Sequence, residues 1–139
     1  MSALTPDVAA FLDAQRLGVL ATVSEDGRPR QSVVYFAREG ERLLISTVAG
    51  RLKDRDVRRT GWASLCVRGD EPPFPSATLA GPASIITQDI GGLTARVAQN
   101  VMGLAEPPEP QSDAALAEAG RVILAIDIER VGPVTYIGT

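Results

Sequence analysis

Leu17-Gly18-Val19-Leu20-Ala21-Thr22-Val23, then Glu25-Asp26-Gly27-Arg28, then Gln31-Ser32-Val33-Val34-Tyr35-Phe36 is the stretch whose reading decides the fold. The first and third segments are apolar and β-branched, which suits pleated strands. The Asp-Gly pair between them supplies the positive backbone dihedral a tight hairpin turn requires. An antiparallel hairpin is the expectation. A second turn at Arg38-Glu39-Gly40-Glu41 returns the chain into Leu43-Leu44-Ile45-Ser46-Thr47-Val48, which extends the hairpin to a three-stranded meander.

Upstream, Thr5-Pro6-Asp7 places a cap residue and a proline before Val8, Ala9, Phe11 and Leu12, a pattern for a short amphipathic helix ending near Arg16. Downstream, Ala49-Gly50 breaks the third strand. The basic run 51–59 then reads as a short helix with Leu52 and Val57 near its buried side and its arginines mostly outward. Residues 62–67 predict a fourth strand, in which Cys66 is expected as a buried structural thiol. Asp70-Glu71-Pro72-Pro73-Phe74-Pro75 is a proline-stiffened loop, and 77–87 a long strand with a bulge or edge position at Gly81-Pro82. Leu93, Val97 and Val101 recur at helical spacing after Gly91-Gly92, giving a helix to about Met102. A semi-rigid linker over 106–110, a short alanine-rich helix over 113–119, a buried strand over 122–128 and a closing strand over 134–137 complete the reading. Six or seven short strands with few helices predict a mainly β, small antiparallel barrel in one domain spanning 1–139.

Charge and composition bound the function. The net charge of −3 and ordinary apolar content argue against disorder and against general nucleic-acid binding. The run 51–59 nevertheless carries five positive and two negative charges on a chain that is otherwise acidic, a local field suited to a small anionic ligand. It also contains the single lysine of the chain, Lys53, against thirteen arginines. A compact ammonium beside an arginine fork suits a phosphate, and a solvated helix-face charge is the plain alternative. There is no histidine and one cysteine, which removes histidine-based triads and leaves no basis for a zinc or iron–sulfur site. No phosphate-binding glycine loop of the GxxxxGK[ST] or GxGxxG type is present. If the protein is an enzyme, a bound cofactor is expected to supply the reactivity. The opening Met1-Ser2-Ala3-Leu4-Thr5-Pro6 lacks the basic start and apolar stretch of a signal peptide, and no apolar run is long enough for a bilayer, so a cytosolic location away from membranes is expected.

Gly18-Val19-Leu20-Ala21-Thr22, Asp26-Gly27-Arg28-Pro29, Leu43-Leu44-Ile45-Ser46-Thr47, Arg51-Leu52-Lys53 with Arg58-Arg59, and Ala63-Ser64 together resemble the flavin and deazaflavin oxidoreductases related to pyridoxamine 5′-phosphate oxidase. Arg121-Val122-Ile123-Leu124-Ala125-Ile126 and Glu129-Arg130-Val131 resemble that family's closing strand, so the resemblance covers nearly the whole chain. It implies a six- to seven-stranded antiparallel split β-barrel with short peripheral helices. It also implies a homodimer with a cofactor groove at the interface.

On the same resemblance, the cofactor phosphate lies against Ser46 and Thr47 at the end of the third strand and against the basic segment after it. Thr47 would donate a hydroxyl, Arg51 a guanidinium fork and Lys53 an ammonium, while backbone groups of Gln31, Ser32 and Val33 would edge the ring. The short length, the Gly-Val-Leu-Ala-Thr opening and the Arg51-x-Lys53 pair resemble the branch that uses the deazaflavin coenzyme F-420, whose glutamate tail Arg55, Arg58 or Arg59 would meet. That implies hydride transfer to an unsaturated or quinone-like small molecule. FMN is the alternative cofactor, and a non-catalytic flavin-binding protein or a barrel binding another anion the alternative role. Pyridoxamine oxidase itself is not implied, because the Arg-x-x-x-Leu-Lys flavin motif is missing around Gln31 to Phe36, and a haem-degrading relative would lack a histidine for iron. No catalytic side chain is assigned. Tyr35 or a water is the candidate proton donor, and the Pro72-Pro73-Phe74-Pro75 loop and the helix over 93–102 are the candidate substrate walls.

Overall fold

In the computed structural model, which describes residues 3–138, the hairpin forms where the sequence places it. Strands β1 (Leu17–Val23) and β2 (Pro29–Tyr35) pair antiparallel from Leu17 opposite Tyr35 to Val23 opposite Pro29. Their turn is closed by the Ser24 amide on the Arg28 carbonyl and the Gly27 amide on the Ser24 carbonyl, with Gly27 at φ 83°. Only glycine takes that conformation without penalty.

The expected meander does not form. β2 ends at Tyr35, and a separate short strand β3 (Ala37–Glu39) pairs with β4 (Arg42–Val48). The break falls on Phe36, whose side chain is fully buried. Its amide donates to the Arg16 carbonyl at 3.1 Å and its carbonyl accepts from Asn100 Nδ2 at 2.7 Å, so neither group is free for a ladder. The remaining strands are β5 (Trp62–Arg68), β6 (Ser76–Ile86), β7 (Arg121–Asp127) and β8 (Arg130–Thr135), so eight strands stand where six or seven were expected. Sheet order is β2-β1-β5-β6-β7-β4-β3, with β8 on β6. The two ends of that path, β2 and β3, are consecutive in the chain. The barrel is therefore closed by covalent continuity through Phe36 and not by hydrogen bonds, which makes it a split β-barrel.

β6 serves both halves. Up to Ala80 it pairs with β8, and from Ala83 with β7. Gly81-Pro82 sits at the handover, but its register with β5 is unbroken. The one irregularity lies between Ala77 and Leu79 against β8, so no bulge occurs at Gly81-Pro82. Gly81 has a steric reason to be glycine, since a Cβ there would lie 1.7 Å from the Asp127 carbonyl oxygen.

Helices α1 (Pro6–Asp13), α2 (Leu52–Thr60), α3 (Gly91–Met102) and α4 (Asp113–Glu118) are peripheral. The barrel interior is filled by residues such as Leu20, Phe36, Ile45, Leu65, Leu79 and Leu124. A second cluster, Leu44, Ile90, Val97, Leu116 and Ile123, lies between the sheet and the helices α3 and α4. β4 and β7 are thus covered on both faces, which is why they read as continuous apolar runs in place of an alternation. Cys66 is exposed, contrary to expectation, because strict alternation along β5 turns it outward between buried Leu65 and Val67.

Val57 is buried as expected, but Leu52 is half exposed. The inward side of α2 is taken instead by Asp54 and Asp56. Thr22 and Arg30, register partners in the first hairpin, both reach Asp56: Thr22 Oγ1 and Arg30 Nε each donate to Oδ2 at 2.8 Å. Arg59 approaches the other oxygen at 3.4 Å. Burial pushes the Asp56 carboxyl up, but the Arg30 and Thr22 hydrogen bonds, the Arg30 charge and the Arg59 hydrogen bond outweigh it, and its pKa lies below the ordinary value. A depressed folded-state pKa gives stability that is complete above the unfolded value, about 3.9, and is lost as pH falls through the folded value. Asp56→Asn should therefore cost about 1.5–3 kcal/mol at pH 7. The gap to the parent should shrink as the pH is taken below about 4. Urea unfolding at several pH values checks this, and a gap independent of pH would contradict it.

Candidate functional site

Among the described residues β2 pairs only with β1, and β4 beyond Leu44 pairs only with β7, because β3 is too short to cover it. Two unpaired strand edges therefore diverge from the Phe36 break, with α3 alongside. A groove of about 630 Å³ occupies the split. Its apolar walls include Val33 and Tyr35 from β2 and Val97, Ala98 and Val101 from α3, and Ser46, Thr47 and Val48 line it from β4.

One end is cationic. Arg51 is the N-cap residue of α2 and Lys53 is in its first turn, and both line the groove. Arg51 has no acceptor to cap the helix, and no side-chain cap bond is made. The first-turn amides and the positive end of the helix dipole therefore add to the two side-chain charges. The turn before the helix is held by Asp54, whose Oδ2 accepts from the Gly50 amide and whose Oδ1 accepts from Arg58 Nε, both at 2.8 Å. Gly50 itself sits at φ 87°, a conformation that favours glycine. The carboxylates of α2 are thus engaged with Gly50, Arg58, Arg30 and Arg59, while Arg51 and Lys53 form no ion pair among the described residues. Among the described residues no carboxylate, imidazole or thiol lines the groove.

Of the residues the sequence pointed to, Val33, Ser46, Thr47, Arg51 and Lys53 come together here. Gln31 and Ser32 lie on β2 opposite Ala21 and Leu20, outside the groove lining. Arg58 pairs with Asp54, and Arg59 donates to Asp56 and to the Val23 carbonyl. Arg55 and Arg59 line a separate depression with Arg28 and Arg30. Helix α3 walls the groove as expected, but the loop over 72–75 does not. Phe74 instead lies against the Arg68 guanidinium, 5.4 Å from ring centroid to Cζ, beside a smaller depression that shares Tyr35 and Val101 with the groove.

Arg121 was missed as a site residue. It lines the groove from the start of β7, and its Nη2 donates to Ser46 Oγ at 2.6 Å. The pairing spans 75 residues and has no local signature; the only hint is a cation opening the buried run Val122 to Ile126. Thr94 and Gln111 also line the groove without any signal in the sequence. The described residues contain no cluster of three or more histidine, cysteine, aspartate or glutamate side chains able to hold a metal, and no helix long and apolar enough to cross a membrane. The site can hold an anion at one end and a flat apolar body along its walls, and the Tyr35 phenol is the proton-bearing group of its lining that could serve as an acid.

A family model described as pyridoxamine 5′-phosphate oxidase matches residues 4–135. Among solved structures the chain is similar to an F-420 reductase, with TM-score 0.74 and 22% identity over 93% of this chain and 98% of that one. It is also similar to an FAD and haem binding protein from Mycobacterium smegmatis, with TM-score 0.73 and 21% identity over 94% and 70%. A conserved hypothetical protein from Mycobacterium tuberculosis has TM-score 0.71 and 23% identity over 94% and 82%. At these identities the likeness shows the fold.

Proposed function

The chain belongs to the pyridoxamine 5′-phosphate oxidase family, and on that premise we propose that it is an oxidoreductase that uses reduced coenzyme F-420 to reduce an unsaturated or quinone-like small molecule. The observation that carries this reading is the carboxylate-free groove ending on Arg51, Lys53 and an uncapped helix N-terminus. Its volume is in the range of small-molecule sites, roughly 300–1,000 Å³. When bound, a deazaflavin supplies a hydride, which makes a nucleophile or general base on the protein unnecessary. The residues then have simpler duties. Arg51 offers a planar fork and Lys53 a compact ammonium to a phosphate, and the first-turn amides of α2 complete the cradle. Val33, Val97 and Val101 give a tricyclic ring an apolar bed and keep water from its faces, and Asp54 fixes the turn that aims the cations. Tyr35, at the junction with the second depression, is the candidate proton donor to product.

The similarity to an F-420 reductase supports the deazaflavin. FMN binding, with or without turnover, is the second reading, favoured by the structural likeness to FAD-binding proteins. The chain has no histidine to ligate haem iron.

A homodimer is part of the proposal. The outer face of β1, β2 and β5 carries Val19 directly between Val33 and Cys66, flanked by exposed Leu17, Tyr35 and Trp62. Val33 is 69% exposed and Tyr35 52% exposed, and both also line the groove. A second copy on this face would cover apolar surface and wall the groove together. Sedimentation at micromolar concentration should show a dimer, and a monomer would count against it.

Affinity for F-420 should exceed that for FMN by at least about tenfold, roughly 1.4 kcal/mol. Lys53→Ala or Arg51→Ala should each weaken cofactor binding by about 1–3 kcal/mol while leaving the melting temperature unchanged. Lys53→Arg should recover part of the loss. Side-by-side titrations at fixed ionic strength check this. Equal or tighter FMN binding would favour the second reading, and a silent Lys53→Ala would remove the phosphate assignment.

A further inference from the structure

Arg121 is partly buried, and no carboxylate lies within ion-pair distance of it among the described residues. Of its five N–H donors one is met, by the neutral Ser46 hydroxyl. The other four donors and the charge are left for an occupant of the groove. Its side chain is directed away from the phosphate end. Arg121 stands opposite Val48 in the β4–β7 register, yet its side chain runs back to Ser46, two residues and roughly 7 Å along the strand, away from the turn that carries Arg51 and Lys53. Ser46 Oγ accepts this bond and keeps its own proton for a further acceptor. Across the groove on α3, Thr94 has a buried Oγ1 with no hydrogen-bond partner among the described residues.

We propose that Arg121, positioned by Ser46, is a second and separate recognition point in the groove, one that takes an electronegative edge of a bound heteroaromatic ring while Arg51 and Lys53 take the phosphate. The assignment rests on the flavin-type reading above. It adds a consequence for redox chemistry. The pyrimidine edge of a flavin-type ring gains negative charge on reduction, so a fixed guanidinium there favours the reduced ligand.

The test is a titration of the wild-type protein and the Arg121→Gln, Ser46→Ala and Lys53→Ala variants with FMN and with riboflavin, which lacks the phosphate. The 5-deaza counterparts, with and without phosphate, are run in parallel. Thermal melting confirms folding, and Arg121→Lys, which keeps the charge but loses the fork, replaces Arg121→Gln should that variant fail to fold. Arg121→Gln is expected to weaken FMN and riboflavin by the same factor, about tenfold. Ser46→Ala should follow it in the same direction, and Lys53→Ala should weaken the phosphorylated ligands alone. The midpoint potential of bound FMN should fall in Arg121→Gln. The proposal is overturned if Arg121→Gln weakens FMN but not riboflavin, which would make Arg121 a third phosphate cation. It is also overturned if Arg121→Gln affects neither ligand, or if the wild type binds only the phosphorylated forms. Wild-type protein that binds none of these ligands would remove the flavin-type reading itself, and this assignment with it.

Discussion

The Phe36 break is the constraint on which the rest depends. A continuous strand from β2 through β3 would have kept the two sheet edges in one ladder and left no space between them. Instead the Phe36 amide is taken by Arg16 and its carbonyl by Asn100, whose side chain also bonds the Gln15 carbonyl at 2.9 Å. One asparagine on α3 thus ties the end of α1's connection, the break and the groove's helical wall into a single unit. Burial of the whole Phe36 ring in the barrel adds about 1.5–3 kcal/mol of apolar transfer to that arrangement. The split that results is both the defect in the barrel and the place where ligand-facing backbone and side chains are gathered.

The second determinant is how α2 distributes its charges. Asp54 and Asp56 are almost fully buried, and each is answered by hydrogen bonds from the sheet, a turn amide or an arginine. Those contacts dock the helix and satisfy its carboxylates. They also leave the cations at its start, Arg51 and Lys53, without an ion-pair partner among the described residues and facing the open groove. The structural aspartates and the ligand-facing cations come from the same short segment, separated by which side of the helix each occupies.

Local chemistry made much of this legible in the sequence. The Asp-Gly turn, the strand break at Ala49-Gly50, the helix over the basic run and the apolar spacing of α3 all depend on neighbours close along the chain, and all appear in the structure. The split barrel and the gathering of Ser46, Thr47, Arg51 and Lys53 depend on strand order, and the sequence shows them only through the family resemblance. What escaped was decided at a distance. Val33-Val34-Tyr35-Phe36 contains no glycine or proline to announce a break; the break is imposed by Arg16 and by Asn100, 64 residues away. The apolarity of Leu52 predicts it inward, but the surface beneath α2 presents strand-end polar groups and selects aspartates. Cys66 sits in an apolar run whose alternation still turns it outward. Arg121 becomes part of the groove only because β7 lies beside β4.

The central claim, that the split between β2 and β4 is the ligand site, is tested most directly by hydrogen–deuterium exchange with and without cofactor. Unpaired edge amides exchange freely, and a ligand seated in the groove must slow them. The account predicts protection confined to residues 33–35, 46–48 and 51–54, with the groove side of α3 following. Protection that appears at the β1–β2 turn and over 55–59, with the groove segments unchanged, would place the ligand on the arginine-lined depression across α2 and contradict it.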